Sequence, residues 1–285
     1  MKPPQFRYAR PGTLEAALSL LEEEGDEARV LAGGQSLVPL MNMRLARPSV
    51  VIDLGSIPEL SVMGTHNGVW QLGAMVTQRT AELSSRLVED CPLLGKAFPY
   101  IGHLQIRTLG TVGGSIAHAD PAAELPAVAL TLDAELTVRS TSGERTIRAQ
   151  EFFQGPYVNA LHPGEILTQI NLPAHPQSRS AFQEFVRRKG DFAVTGISAT
   201  ADMEDDKSTV ARIRLGAFGV SGSPVRLPDA ETVVAGRTLT SDVIGDASEA
   251  AAAEVDPWDD IHGSAGYRRK LVAHLVGRAL QEVAV

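Results

Sequence analysis

"VLAGGQSLVPLMNMRLARP", residues Val30–Pro48, sets two adjacent glycines between an apolar run and a Met-rich segment closed by two arginines. The apolar run "ARVLAGG" reads as a short buried strand that ends in Gly33-Gly34. Ser36 is placed to cap a short helix, and Pro39 is tolerated in the first turn of that helix. Glycine admits φ > 0 and removes the Cβ that would hold a ligand away. Upstream, Thr13 caps a helix running to about Glu24. Leu14, Ala17, Leu18 and Leu21 give that helix one apolar face, and Gly25 stops it. Downstream, "SVVIDLG" (Ser49–Gly55) is another strand. The first fifty-odd residues therefore order as strand, helix, strand, glycine turn, short helix, strand, a small α/β unit. Met41 and Met43 are expected to fill core beside Leu40 and Leu45.

The texture changes from about Ile57. "GVWQLGAMVT" is strand-like, Thr77 starts a helix, and "CPLLGKAFPYIG" has helix-compatible spacing. "TLGTVGGSIAHADPAAELP" brings a second glycine pair, and a helix is expected from Pro121 to Leu132. "AELTVRS" and "RTIRAQ" read as a hairpin across Ser142-Gly143, and "GEILTQINLP" as a strand ended by Pro173. The polar, proline-containing "AHPQSRS" (Ala174–Ser180) is the candidate boundary. Beyond it lie three strands, "AFQEFVRRKG", "DFAVTGISATADM" and "TVARIRLGAFGV". An alanine-rich helix follows Asp242. A last helix from about Ser264 places Leu271, Leu275, Val276, Ala279, Leu280 and Val283 on one face. Three strands followed by helices predict an α+β C-terminal domain.

The chain has 285 residues, a net charge of −8 and one cysteine. The basic clusters Arg187-Arg188-Lys189 and Arg268-Arg269-Lys270 are too short for a nucleic-acid footprint. A single cysteine excludes an intrachain disulfide and any cysteine-ligated cluster built by this chain alone. Cys91, before Pro92 in an apolar context, reads as a buried, inert thiol. No run reaches the roughly eighteen apolar residues of a membrane span. The N-terminal "MKPPQFRYARPGT" lacks the apolar core of a secretory signal, so a cytoplasmic location is expected.

Two segments match in local context: "LAGGQSLVP" and "GTVGGSIAH". Each has Gly-Gly followed by small polar residues. Successive N–H groups in such turns can converge on an anion, and a hydroxyl adds one donor. Two facing loops of this kind would hold a pyrophosphate without a lysine. Neither has the G-x-G-x-x-G spacing, and no GK[ST] P-loop occurs. No Ser-His-Asp or Cys-His nucleophile set is present, and no catalytic residue is assigned to this chain.

The long motifs "AGGQSLVPLMNMRLARP" and "TLGTVGGSIAHADPAAELPAVALTLDAEL", with "RRKGDFA" and the ending "SAGYRRKLVAHLVGRAL", resemble the FAD-binding medium subunits of the molybdenum hydroxylases, of the carbon monoxide dehydrogenase and xanthine dehydrogenase type. The resemblance covers nearly the whole chain in order. It implies an α+β architecture: an FAD-binding region of PCMH type over residues 1–176, with subdomains of about 1–56 and 57–176. A C-terminal domain over 177–285 would then carry a three-stranded antiparallel sheet and helices. It implies that Ala32, Gly33, Gly34, Gln35 and Ser36 form the first diphosphate segment, and that Thr111, Gly113, Gly114 and Ser115, within Thr111–Ser115, form its partner. Glu124 falls where the family binds the ribose or adenosine part. Asp120 shares that role or caps the following helix. Phe192 falls where relatives carry an aromatic residue beside the flavin ring, or is a core residue of a strand. Asp191 serves the flavin or ends a turn. Gln183 stands where some relatives have a lysine directed at the flavin. Arg44 and Arg47 face the cofactor phosphates, solvent or a partner subunit, and His118 reads as a hydrogen-bonded structural histidine. The resemblance further implies an electron-transfer role. A large partner would hold the molybdenum cofactor, a small partner [2Fe-2S] clusters, and electrons would leave through FAD to an external acceptor. A self-contained flavin oxidase and a flavin-free scaffold of the same fold are the rival readings.

Overall fold

Thr13 opens the first helix, Leu14–Glu24, by accepting the Ala16 N–H on its hydroxyl at 3.2 Å. The helix buries Leu14, Ala17, Leu18 and Leu21 and ends at Gly25, whose φ is 53°. That buried stripe lies on a parallel three-stranded sheet. Val50–Asp53 is central, flanked by Arg7–Ala9 and Ala28–Leu31. The computed structural model describes residues 2–285.

After Leu31 the chain crosses the glycine turn into the short helix Leu37–Asn42. Of the two methionines, only Met41 joins the core; Met43 and Leu45 are exposed. At Leu45 the expected apolar continuation fails where Arg44 turns left-handed, with φ 62°. The N–H groups of Leu45 and Ala46 then fold back onto the Leu40 carbonyl, which swings the following side chains outward.

The second subdomain is built on a five-stranded antiparallel sheet. Its order is Met63–His66, Val69–Gly73, Ile166–Pro173, Glu135–Ser140 and Gly143–Arg148. The last two form the expected hairpin, in register from Glu135 with Arg148 to Ser140 with Gly143. Between Val69–Gly73 and Glu135–Ser140, the second and fourth strands in space, the chain inserts a run of short helices. One of them, Glu124–Thr131, is buried on every side. It begins later than expected. Asp120 Oδ1 accepts the Ala122 N–H at 2.9 Å, and the Ala123 N–H returns to the Asp120 carbonyl at 3.1 Å. Asp120 therefore caps a tight turn through Pro121, and not the helix itself.

The C-terminal sheet pairs Arg179–Phe185, Thr195–Met203 and Val210–Phe218 antiparallel. It has four strands, one more than expected, because Val225–Arg226 returns beside Val210–Phe218. Two residues are too few to show an alternating pattern. Tertiary bonds fix them instead: Arg226 pairs with Glu231 at 2.8 Å and with Asp133 at 3.0 Å. The helix Ala265–Ala284 covers one face of this sheet with Leu275, Val276, Leu280 and Val283, and Ser241–Glu254 packs against that helix. The other face joins the FAD-region core through Phe182 and Phe218, whose ring centroids are 5.7 Å apart. At the same seam Thr131 and Ser198 share a buried hydroxyl hydrogen bond of 2.7 Å. Arg268, also buried, donates to the carbonyls of Val194 and Gly219 and pairs with Asp260. Among the described residues no helix is long and apolar enough to cross a membrane.

Because Phe182 joins the two halves, Phe182→Ala should cost about 3–5 kcal/mol, the usual penalty for a buried aromatic. Phe192→Ala, at an exposed position, should change stability by less than about 0.5 kcal/mol. Urea unfolding of both variants without cofactor checks this, and equal losses would show that Phe182 does not bear the seam.

Candidate functional site

The structure brings the two glycine loops into contact. A Cβ on Gly33 would lie 2.2 Å from the Leu109 carbonyl oxygen and 2.7 Å from Gly110 Cα. One on Gly114 would lie 3.1 Å from Ala32 Cβ and 2.7 Å from Thr111 Oγ1. The glycines thus let one backbone rest on another. This adds a use to the one expected from sequence, where the missing Cβ served only an approaching ligand.

Despite their matched sequences, the loops differ as donors. In the second, the N–H groups of Val112 and Gly113 donate to the Val76 and Ala74 carbonyls, and that of Ser115 to the Thr111 carbonyl. The Gly114 N–H donates to Thr111 Oγ1 at 2.9 Å. Its amides are therefore already bonded within the protein. In the first loop, among the described residues, the N–H groups of Gly33, Gly34, Gln35 and Ser36 donate to no protein acceptor. Gly34, with φ 71°, turns this run. Gln35 braces it with a 2.9 Å side-chain bond to the Gly33 carbonyl. Ser36 stands at the cap position of Leu37–Asn42 but makes no side-chain cap bond, so its hydroxyl is not committed to the helix. Four part-buried amides in sequence, with a hydroxyl beside them, make a donor-rich, cation-free cradle suited to an anion.

The helix Val112–His118 leads from the second loop to an acidic corner. Ala119 is left-handed, with φ 51°, and this turns Asp120 inward. Tyr157 packs on His118 at 5.1 Å between ring centroids, with its hydroxyl 3.5 Å from Asp120 Oδ2. Among the described residues the His118 ring makes no hydrogen bond; it is packed, where a hydrogen-bonded ring was expected. Burial holds its pKa below the usual histidine range, against the opposing pull of Asp120. Glu124, the first residue of its helix, is only 8% exposed. Burial pushes its carboxyl up to about 7, with Asp120 adding to the rise and its own backbone N–H and Arg107 opposing it. The Arg107 guanidinium is spoken for, donating to both Glu82 oxygens at 3.1 and 3.2 Å and to the Ile101 carbonyl at 2.8 Å.

Asp191 and Phe192 lie outside this corner, on the turn after Arg179–Phe185. The Asp191 N–H closes that turn onto the Arg188 carbonyl at 3.0 Å. Phe192 is 72% exposed, which overturns its reading as a core residue. The turn reaches the glycine loops indirectly: Gly190 lies on the His103 ring, and His103 precedes the helix Leu104–Leu109 on which Gly33 rests. Gln183 points away, donating to Glu282 of the last helix at 2.7 Å. Arg44 and Arg47 are exposed, with Arg47 Nε on the Arg44 carbonyl. Cys91 is buried, its thiol pushed up to about 12 by burial and then by Asp90.

Glu184 escaped the sequence reading. Its signal was present: in "AFQEF" the two-residue strand period sets Glu184 on the face of Phe182, opposite Gln183.

Two family models match end to end. Residues 4–175 match the FAD binding domain in molybdopterin dehydrogenase, and residues 180–283 the CO dehydrogenase flavoprotein C-terminal domain. The chain belongs to the FAD-binding medium subunits of the molybdenum hydroxylases. The nicotine 6-hydroxylase medium subunit of Paenarthrobacter nicotinovorans is 41% identical over 282 residues, covering 99% of this chain and 98% of that one. The 6-hydroxypseudooxynicotine dehydrogenase complex subunit alpha of the same organism is 40% identical, covering 98% and 95%. Among solved structures, carbon monoxide dehydrogenase from Hydrogenophaga pseudoflava superposes with a TM-score of 0.96 at 33% identity, covering 99% of this chain and 98% of that one. The cofactor of the family is FAD, and the first-loop cradle has the donor chemistry that its diphosphate requires.

Gly33→Ala should destabilise the cofactor-free chain by about 1–3 kcal/mol, since the added methyl meets backbone that cannot swing aside. Gly12→Ala, where a Cβ meets nothing within 4 Å, is the control. Equal thermal midpoints for the two variants would show that the loops are not held by this contact.

Proposed function

We propose that this chain is the electron-transfer flavoprotein subunit of a heteromeric, cytoplasmic molybdenum hydroxylase. The free amides of Gly33, Gly34, Gln35 and Ser36 carry this reading. They would hold the FAD diphosphate, with the Ser36 and Ser115 hydroxyls as further donors. Thr111, Gly113 and Gly114 bring the second loop against Ala32 and shape the cradle. Glu124, and Asp120 beside it, would accept from ribose hydroxyls, as carboxylates readily do. Asp191 and Phe192 would border the flavin end.

Bound FAD supplies redox chemistry that links one-electron and two-electron carriers. The protein's part is to orient the cofactor and limit water around it. With a single cysteine, the chain leaves iron–sulfur clusters to a small partner and the molybdenum cofactor to a large one. Electrons would arrive from the clusters and leave to an external acceptor such as a quinone, NAD or oxygen. Substrate choice belongs to the large partner.

The purified chain, alone or co-expressed with its partners, should carry about one non-covalent FAD per chain by visible absorbance and release. A hydrogen bond to a charged group contributes about 1.5–3 kcal/mol. The Ser36→Ala, Ser115→Ala double variant should therefore bind FAD at least about tenfold more weakly, with an unchanged circular dichroism spectrum. Unaltered affinity in that variant would remove the two hydroxyls from the site.

A further inference from the structure

The six-residue helix Leu104–Leu109 meets a different neighbour at each end. At its C-terminal end the Leu109 carbonyl and Gly110 lie beneath Gly33 of the first loop. At its N-terminal end His103 lies beneath Gly190, in the turn that carries Asp191 and Phe192. A Cβ on Gly190 would fall on the His103 ring, 2.6 Å from Nδ1 and 3.0 Å from Nε2. Gly190 has φ 91°, so the turn and the close approach both require glycine. The C-terminal domain meets the FAD region at this contact.

Apolar packing does not hold the helix in place. Leu104, Ile106 and Leu109 are exposed, and Arg107 is the one side chain of the six that is buried. A surface helix ordinarily anchors through an apolar stripe; here the anchor is a guanidinium. Nε and Nη2 of Arg107 form a fork on the two Glu82 oxygens at 3.1 and 3.2 Å, and Nη1 donates to the Ile101 carbonyl at 2.8 Å. Such paired, charge-assisted bonds fix orientation as well as distance. Glu82 ends the helix Gln78–Glu82 and also accepts from Arg79 at 2.9 Å. Burial raises its carboxyl, but the bonds from Arg79 and Arg107 outweigh burial and hold it below the ordinary value. The pair is therefore charged at neutral pH.

The two ends of Leu104–Leu109 have separate anchors. The Gln78 N–H donates to the Gly110 carbonyl at 2.8 Å, and the second loop beyond is bonded to Val76 and Ala74. Those bonds hold the end beneath Gly33 without Arg107. The guanidinium holds the other end, through Ile101, two residues before His103.

We propose that Arg107 is a positioning residue for the flavin end of the site: its fork on Glu82 and its bond to Ile101 set His103 beneath Gly190, and this places the Asp191–Phe192 turn relative to the diphosphate cradle. This inference rests on the FAD-binding reading above. ADP would use only the cradle and the acidic corner. FAD would use the turn as well. Loss of Arg107 should therefore weaken FAD and spare ADP.

Two titrations of the full chain test this, FAD by flavin fluorescence and ADP by calorimetry. Arg107→Gln should bind FAD at least about tenfold more weakly, the usual effect of losing bonds to a charged group. Its ADP affinity should stay within about twofold of wild type. Arg107→Lys keeps the charge without the fork and should recover only part of the loss. His103→Ala, at an exposed position, removes the support without touching the ion pair and should show the same selective loss. The double variant Arg107→Gln, His103→Ala should be no weaker than the weaker single variant, because both act on one contact. Equal loss of FAD and ADP in Arg107→Gln would make the residue merely structural and overturn the proposal. Unchanged FAD affinity in Arg107→Gln, or additive losses in the double variant, would also overturn it. Failure of wild type to bind FAD overturns the cofactor reading itself.

Discussion

The backbone of Gly33 rests on the Leu109 carbonyl and Gly110 Cα, and the geometry of the cofactor region depends on that contact. Each loop belongs to a different subdomain with its own sheet. The glycine contact is where the two sheets present their loops to one another. A side chain there would separate them by the thickness of a methyl group, and the cradle would widen into an open surface. The second loop can make this approach because its amides are already bonded, to Val76, Ala74 and Thr111. It is a fixed wall. The first loop keeps its amides free and is the bonding surface.

A comparable economy governs the C-terminal domain. Its sheet is covered twice, by helices of its own domain on one face and by the FAD-region core on the other. The strand Thr195–Met203 is accordingly buried along most of its length. Covering both faces makes the C-terminal domain a wall of the cofactor region, and no tether of that region is needed.

Much of this arrangement was legible in the sequence wherever a period repeated. The helix after Thr13, the hairpin across Ser142-Gly143 and the apolar face of the last helix follow from spacing, and the structure contains each of them. What escaped was local or long-range. Val225–Arg226 is too short to carry a pattern and is fixed by ion pairs. The start of Glu124–Thr131 is moved by an Asx turn at Asp120. Leu45 leaves the core where Arg44 adopts a backbone conformation that side-chain hydropathy does not encode. The matched glycine pairs were visible as a pair of loops. Their unequal donor capacity was not, because it depends on whether Val76 and Ala74 lie alongside. Glu184 was readable from alternation with Phe182, but only once both faces of its strand were known to be covered.

Electrostatics sets the remaining constraint. A dinucleotide diphosphate is an anion, yet this chain carries a net charge of −8 and places no lysine in either glycine loop. On the reading proposed above, backbone amides would supply the attraction, as fixed partial charges that need no reorganisation. Such a cradle tolerates few nearby anions. Two buried acids, Asp120 and Glu124, nevertheless lie in the corner that follows the second loop. Ionised, they would set their field against a diphosphate held by the first loop, in a medium that screens poorly. Burial pushes the Glu124 carboxyl up to about 7, which lessens that conflict.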